Sequence, residues 1–404
     1  MQTKLDEDKA ELLARAARVA ENSPLRGQGG PGLDTETLTA FLQRYYLHTA
    51  PEDLLGRDPV DVFGAAFSHY RLAEVRPQGT ANVRVHTPTV EENGWQCTHT
   101  VVEVVTDDMP FLVDSVTNEL SRQERAIHVV VHPQIVVRRD VTGKLLEILD
   151  ADGIRAADRS ELPHDALIES WIHVETDRET DRDDLKRITA DLRRVLSDVR
   201  EAVEDWTKMH DAALRVADEL HTAAQPLPAE EVAEAEELLR WLALDHFTFL
   251  GYREYELTTG PAPEGGDEDV LAAVPGTGLG ILRSDPHHTE DEYTAHPVSP
   301  SFHRLPRGVR AKAREHKLLV LTKANSRSTV HRRSYLDYVG VKKFDADGNV
   351  IGERRFLGLF SSAAYTESVR RVPVVRRKVR EVLEKAGVGP ESHDGRDLLQ
   401  ILET

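Results

Sequence analysis

The sequence predicts an α+β protein: a helical lead-in, a ferredoxin-like sandwich, then a mostly antiparallel sheet with flanking helices. Three observations carry this. Up to about residue 78, apolar residues recur at helical spacing. From Thr80 the period changes from 3.6 to 2, and strand-like runs interleave with two helical ones. From His246 the apolar runs become short and rich in β-branched and aromatic residues.

The lead-in begins with a helix over 1–21, where Leu5, Leu12, Leu13, Ala16 and Val19 lie near one face. A glycine-rich break, 23–34, follows. Asp34 is placed to cap the next helix, whose apolar side is Leu38, Phe41, Leu42 and Tyr45. A third helix starts after Pro59, with Val62, Phe63, Ala66, Phe67 and Tyr70 inward.

The sandwich follows. Val83 and Val85 alternate with polar neighbours. Residues 101–105 form an unbroken β-branched strand, which Thr106, Asp107, Asp108 and Pro110 interrupt. Phe111, Leu112, Val113, Val116 and Leu120 then return at helical spacing. The short connection places 101–105 beside the next strand, 126–131. A hairpin turn at 140–143 and strands at 144–149 and 167–176 come next. Asp183 and Asp184 open a long helix whose seam is Leu185, Ile188, Leu192, Val195, Val199, Val203 and Trp206.

Residues 225–231 read as a linker and helix start, and 231–244 as helix. Strands are expected at 247–257, 278–283, 317–324, 334–344 and 350–360, with a long mobile loop at 258–270. A basic helix over 366–386 follows. Leu398, Leu399, Ile401 and Leu402 then recur at helical spacing up to the last residue, as in a fragment of something longer.

Composition narrows the function classes. No run approaches the ~18 apolar residues that span a bilayer, and the charged N-terminus has no apolar signal core. The expectation is a cytoplasmic protein without membrane contact. A single cysteine, Cys97, excludes an internal disulfide and reads as a strand residue. The net charge of −19 hides a polarity: residues 301–380 hold 20 Lys and Arg against 6 Asp and Glu. An acidic body with one basic segment, and no aromatic stacking platform, argues against a nucleic-acid partner.

No catalytic motif survives inspection. Gly276, Gly278 and Gly280 lack the spacing and the following helix of a dinucleotide turn. Residues 345–353 lack calcium-loop spacing, and Asp347-Gly348 reads as a hairpin turn. His128 with His132, and His287 with His288, lack partners at zinc spacing, so no metal is expected. Asp107, Asp108, Met109, Pro110 and Phe111 differ. A strand, an acidic loop and a helix N-terminus offer a carboxylate for an ammonium group and N–H groups for a carboxylate. The alternative is that Asp108 merely caps the helix. A basic stretch, Lys323, Arg327, His331, Arg332 and Arg333, is suited to an anion or to pairing with another domain.

Four segments in order, 54–85 (LLGRDPVDVFGAAFSHYRLAEVRPQGTANVRV), 106–116 (TDDMPFLVDSV), 246–257 (HFTFLGYREYEL) and 321–332 (LTKANSRSTVHR), resemble the N-terminal part of the large bacterial NAD-specific glutamate dehydrogenases. The resemblance runs from about Leu33 to the end. It implies a helical segment at 1–78, an ACT-like domain at 79–225, a PAS-like domain at 226–365 and a helical linker at 366–404. An ACT module ends strand–helix–strand, and no final strand is evident after the long helix. The resemblance also implies an amino-acid effector at the Asp107–Phe111 junction and a homo-oligomer. The catalytic residues and the NAD site would lie in a downstream domain, leaving no cofactor and no turnover in this chain. The competing reading is a stand-alone amino-acid-sensing protein built from the same modules.

Overall fold

The computed structural model describes residues 2–21, 35–149, 162–222, 226–261, 267–283 and 311–403. The chain forms two compact units, Met1–Ser197 and Asp198–Thr404. The expected glycine-rich break, the Asp34 cap, His287 and His288 lie outside the described residues.

In the first unit the lead-in helices are α1 (Gln2–Glu21), α2 (Thr35–Tyr45), α3 (Pro51–Leu54) and α4 (Pro59–Ala73). Asp58 caps α4 by accepting from the Val60 N–H, and Pro59 occupies its first turn. Strand β1 (Asn82–His86) and the short α5 (Val90–Asn93) lead to β2 (Thr100–Asp107) and α6 (Leu112–Arg122). Then come β3 (Ile127–Val131), β4 (Gln134–Arg139), β5 (Leu145–Ile148), β6 (Ala166–Thr176) and α7 (Arg182–Glu204).

The sheet order is β1-β2-β6-β4-β5, with β3 also on β6 and all pairings antiparallel. Strands β2 and β3 are therefore parallel to each other with β6 between them, the split βαβ of a ferredoxin-like sandwich. This corrects the expectation that 101–105 and 126–131 pair directly: they share the sheet, but β6 separates them. The edge beside β2 is held by β1, a strand that precedes the split unit.

Both faces of β2 and β6 are buried. Val102, Val104, Ile172 and Val174 line one face. On the other, Val105 and Trp171 join Leu42, Tyr45, Phe67 and Tyr70 of the lead-in helices in one core. Helix α6 packs against β3 and β6 through an apolar stripe that includes the buried Leu112, Val116 and Leu120. In α7, Ile188, Leu192, Val195 and Val199 are buried as the seam predicts. Trp206, expected in that seam, is exposed: α7 ends at Glu204, and Trp206 is the first residue of α8 (Trp206–Thr222). Asp181 accepts from the N–H groups of Asp183 and Asp184 at the α7 N-terminus.

The second unit is a sheet of order β10-β11-β12-β7-β8: β7 (Phe247–Pro261), β8 (Asp267–Ala273), β10 (Leu319–Arg327), β11 (Tyr335–Phe344) and β12 (Val350–Phe360). A two-residue β9 (Leu279–Gly280) adds to β7, where a longer strand over 278–283 was expected. Helices α8 and α9 (Ala229–Trp241) bury Met209, Val216, Leu220, Leu238 and Leu239 against Phe249, Val339 and Phe356. Strands β7 and β8 extend through much of 258–270, where a loop was expected, pairing from Tyr255–Ala273 to Pro261–Asp267. The Asp345–Asn349 turn joins β11 to β12, with Gly348 at φ 84°, as its Asp-Gly pair predicts. The expected single helix over 366–386 is divided. A short α10 (Ser362–Thr366) ends before Pro373, and α11 (Val375–Ala386) starts after it, because proline lacks the donor a continuous helix needs. The last helix is α12 (His393–Glu403).

Candidate functional site

The junction between β2 and α6 is built from opposing local demands. The β-branched run holds the strand to Asp107, and Pro110 stops it. Phe111 then turns the chain at φ 73°, ψ 0°, a left-handed conformation uncommon for a residue with a side chain. Its carbonyl accepts from the Ser115 N–H at 3.0 Å and from Ser115 Oγ at 2.6 Å, which closes the first turn. The N-cap position of this helix is Phe111, whose side chain makes no capping bond.

Strand alternation separates the two aspartates. Asp107 Oδ1 accepts from Arg76 Nη2 at 2.7 Å, and Oδ2 from the Gly79 N–H at 3.1 Å. Asp108 serves the other side. Its Oδ1 accepts from Ser170 Oγ at 2.6 Å, and both its oxygens lie 3.1 Å from Gln134 Nε2. His132 Nε2 is 3.1 Å from Ser170 Oγ. A hydroxyl has one proton, and Ser170 gives it to Asp108, so His132 is the donor in its bond to Ser170. Burial lowers the His132 pKa, against the pull of Asp108.

Asp108, His132 and Gln134 border a cleft of about 260 Å³ that residues 109–114 also line. Asp108, Met109, Pro110 and Phe111 thus meet at one place, and Asp107 is directed elsewhere. Sequence reasoning missed His132, Gln134 and Ser170. The signal was parity: Gln134 pairs with Ser170, which pairs with Thr106 two residues before Asp108. The cleft combines an acceptor carboxylate, the N-terminus of α6 and the apolar walls of Met109 and Phe111. That set suits a small zwitterion.

The basic stretch is engaged residue by residue. Lys323 Nζ pairs with Asp337 Oδ1 at 2.6 Å. The Arg327 guanidinium lies 4.9 Å from the centroid of the Tyr335 ring. Arg332 donates to the Phe360 carbonyl and lies over Tyr365. His331 turns the chain at φ 66°. Arg333 is exposed.

The other motifs are accounted for locally. His128 Nε2 meets Asp177 Oδ1 at 2.8 Å, away from the Ser170 partner of His132, because the chain breaks at Pro133 between β3 and β4. Gly280 gives its N–H to Asp205 Oδ2 at 3.0 Å. Among the described residues no helix is long and apolar enough to cross a membrane.

The family model described as the glutamate dehydrogenase ACT1 domain matches residues 41–192, and that described as glutamate dehydrogenase helical motif 1 matches 372–404. A Halomonas elongata protein named NAD-specific glutamate dehydrogenase is 37% identical over 365 residues, 90% of this chain and 21% of that protein. Its Pseudomonas aeruginosa namesake is 36% identical over 91% of this chain and 21% of its own length. The Mycobacterium tuberculosis one is 31% identical over 83% and 18%. The chain therefore spans about a fifth of the length of the curated relatives it matches.

Proposed function

We propose the following role for this chain, which belongs to the family of large NAD-specific glutamate dehydrogenases. The role is regulation and assembly in the N-terminal region of such an enzyme. The reaction, oxidation of L-glutamate by NAD and water to 2-oxoglutarate, ammonia and NADH, is carried out by the part of the polypeptide that corresponds to the rest of its relatives' length. The observation that supports this reading most is the coincidence of the ACT1 match, 41–192, with the split βαβ sheet and the cleft at its β2–α6 junction.

The finer organisation belongs to the same proposal. The ACT-like module lies within 79–225, a PAS-like module within 226–365, and residues 366–404 lead to downstream domains. An amino-acid effector binds at the cleft, with its ammonium group on Asp108 and its carboxylate toward the α6 N-terminus. Homo-oligomeric packing of these modules transmits the effect, and control requires different effector affinity in two packings. NAD is the cofactor of the whole enzyme, and its site lies downstream.

The experiment is direct. Pure chain is assayed for NADH formation from glutamate and NAD. The proposal expects background rates. Turnover that co-purifies with the chain and scales with its concentration overturns the division of labour.

A further inference from the structure

The single cysteine of the chain does not stand alone. Cys97 and His99 lie two residues apart just before β2, and Glu175 lies near the end of β6, opposite Val101. The Cys97 sulfur, a ring nitrogen of His99 and a carboxylate oxygen of Glu175 all lie within 4.8 Å of one another. His99 Nδ1 is 3.1 Å from Glu175 Oε2.

We propose that Cys97, His99 and Glu175 form a binding site for zinc or a similar borderline transition-metal ion. Sulfur, imidazole and carboxylate are three donors zinc accepts, and a soft sulfur disfavours magnesium and calcium. A tetrahedral ion needs its donors roughly 3–4 Å apart, so binding draws the Cys97 segment slightly toward β6. The ion replaces the proton that His99 and Glu175 now share.

The surroundings are those of a supported site. Arg57 donates from Nη1 and Nη2 to the two oxygens of Glu175, at 2.5 and 3.0 Å. Each carboxylate oxygen has two lone pairs, so this clamp orients the ligand without consuming it. The His128 ring stacks on His99 with centroids 4.1 Å apart and fixes the plane of the imidazole. Glu175 is buried while Cys97 and His99 are half-buried, so a fourth position opens toward solvent. Thiolate and carboxylate supply two negative charges to a divalent ion, and Arg57 adds one positive charge beside Glu175. Metal uptake releases the proton of the Cys97 thiol.

The test uses tag-free 404-residue chain stripped with a chelator and titrated with Co²⁺. A thiolate-to-cobalt charge-transfer band reports on one sulfur, because the chain has one cysteine. The proposal expects a band that saturates at one equivalent and disappears when Zn²⁺ displaces the cobalt. Cys97→Ser should abolish the band, and His99→Gln should weaken binding at least tenfold. Both positions are half-buried, and a matching thermal transition confirms that each variant is folded. No band at saturating Co²⁺ overturns the site, as does a folded His99→Gln variant that binds like the parent.

Discussion

Asp107 and Asp108 are adjacent in the chain, yet their carboxylates serve opposite sides of the sheet. Asp107 braces the fully buried Arg76, and Asp108 joins Ser170 and Gln134 at the cleft. Asp107→Ala removes a hydrogen bond to a charged group and should lower stability by about 1.5–3 kcal/mol. Asp108→Ala should cost less. Urea unfolding of the two variants checks the order, and equal losses would contradict the division between bracing and lining.

Glu169 carries more. Arg76 donates from Nε and Nη2 to its Oε1 at 2.9 and 2.7 Å, and Arg139 reaches both its oxygens at 2.6 and 2.8 Å. Trp171 Nε1 adds a bond at 3.1 Å. Replacing Glu169 with Ala leaves two buried guanidinium groups short of their anion, at a cost of about 3–5 kcal/mol. Denaturant midpoints measure this, and a loss below about 1 kcal/mol would mean that the cluster relaxes to water.

His69 makes the first unit sensitive to acid. Its Nδ1 lies 2.8 Å from the Tyr45 hydroxyl and its Nε2 3.0 Å from the Val104 carbonyl. Burial pushes its pKa from 6.5 to about 4. The unfolded chain then takes up this proton before the folded one does. The stability is fully present above pH 6.5 and is lost as pH falls toward 4, by about 2 kcal/mol at pH 5. Tm should fall between pH 7 and 5, and fall less in His69→Gln. An unchanged Tm in the parent would contradict the assignment.

Gly64 sits inside α4, where alanine ordinarily favours a helix by about 1 kcal/mol. Here an added Cβ would meet Trp95 Cβ and Cγ at 2.3 Å. Gly64→Ala should therefore destabilise, by about 1–3 kcal/mol. A gain in Tm would show that Trp95 moves aside freely.

The strand–loop–helix at the cleft was legible because its cues are local: a β-branched run, Pro110 and a change of period. Its partners were not. Strand β6 begins 59 residues beyond the end of β2, and no local pattern tells which strand lies between β2 and β3. The polar side of β6 misleads for a similar reason. Glu169, His173 and Glu175 alternate with apolar residues, as on a solvated face, yet all three are buried. Arg76, Arg139 and Arg57 arrive from distant segments to neutralise the two glutamates. Trp206 fits the seam by spacing, but α7 ends two residues earlier, at Glu204.

The proposed role of the β2–α6 cleft is to receive an amino-acid effector and pass its effect to catalysis. The most direct measurement is the response of the full-length enzyme to amino acids, each rate divided by the same enzyme's rate without effector. Asp108→Ala is compared with the parent after both are shown to be folded. An amino acid should shift the parent's rate, and Asp108→Ala should raise the concentration needed at least tenfold or abolish the shift. A folded variant that responds to every amino acid as the parent does would contradict it.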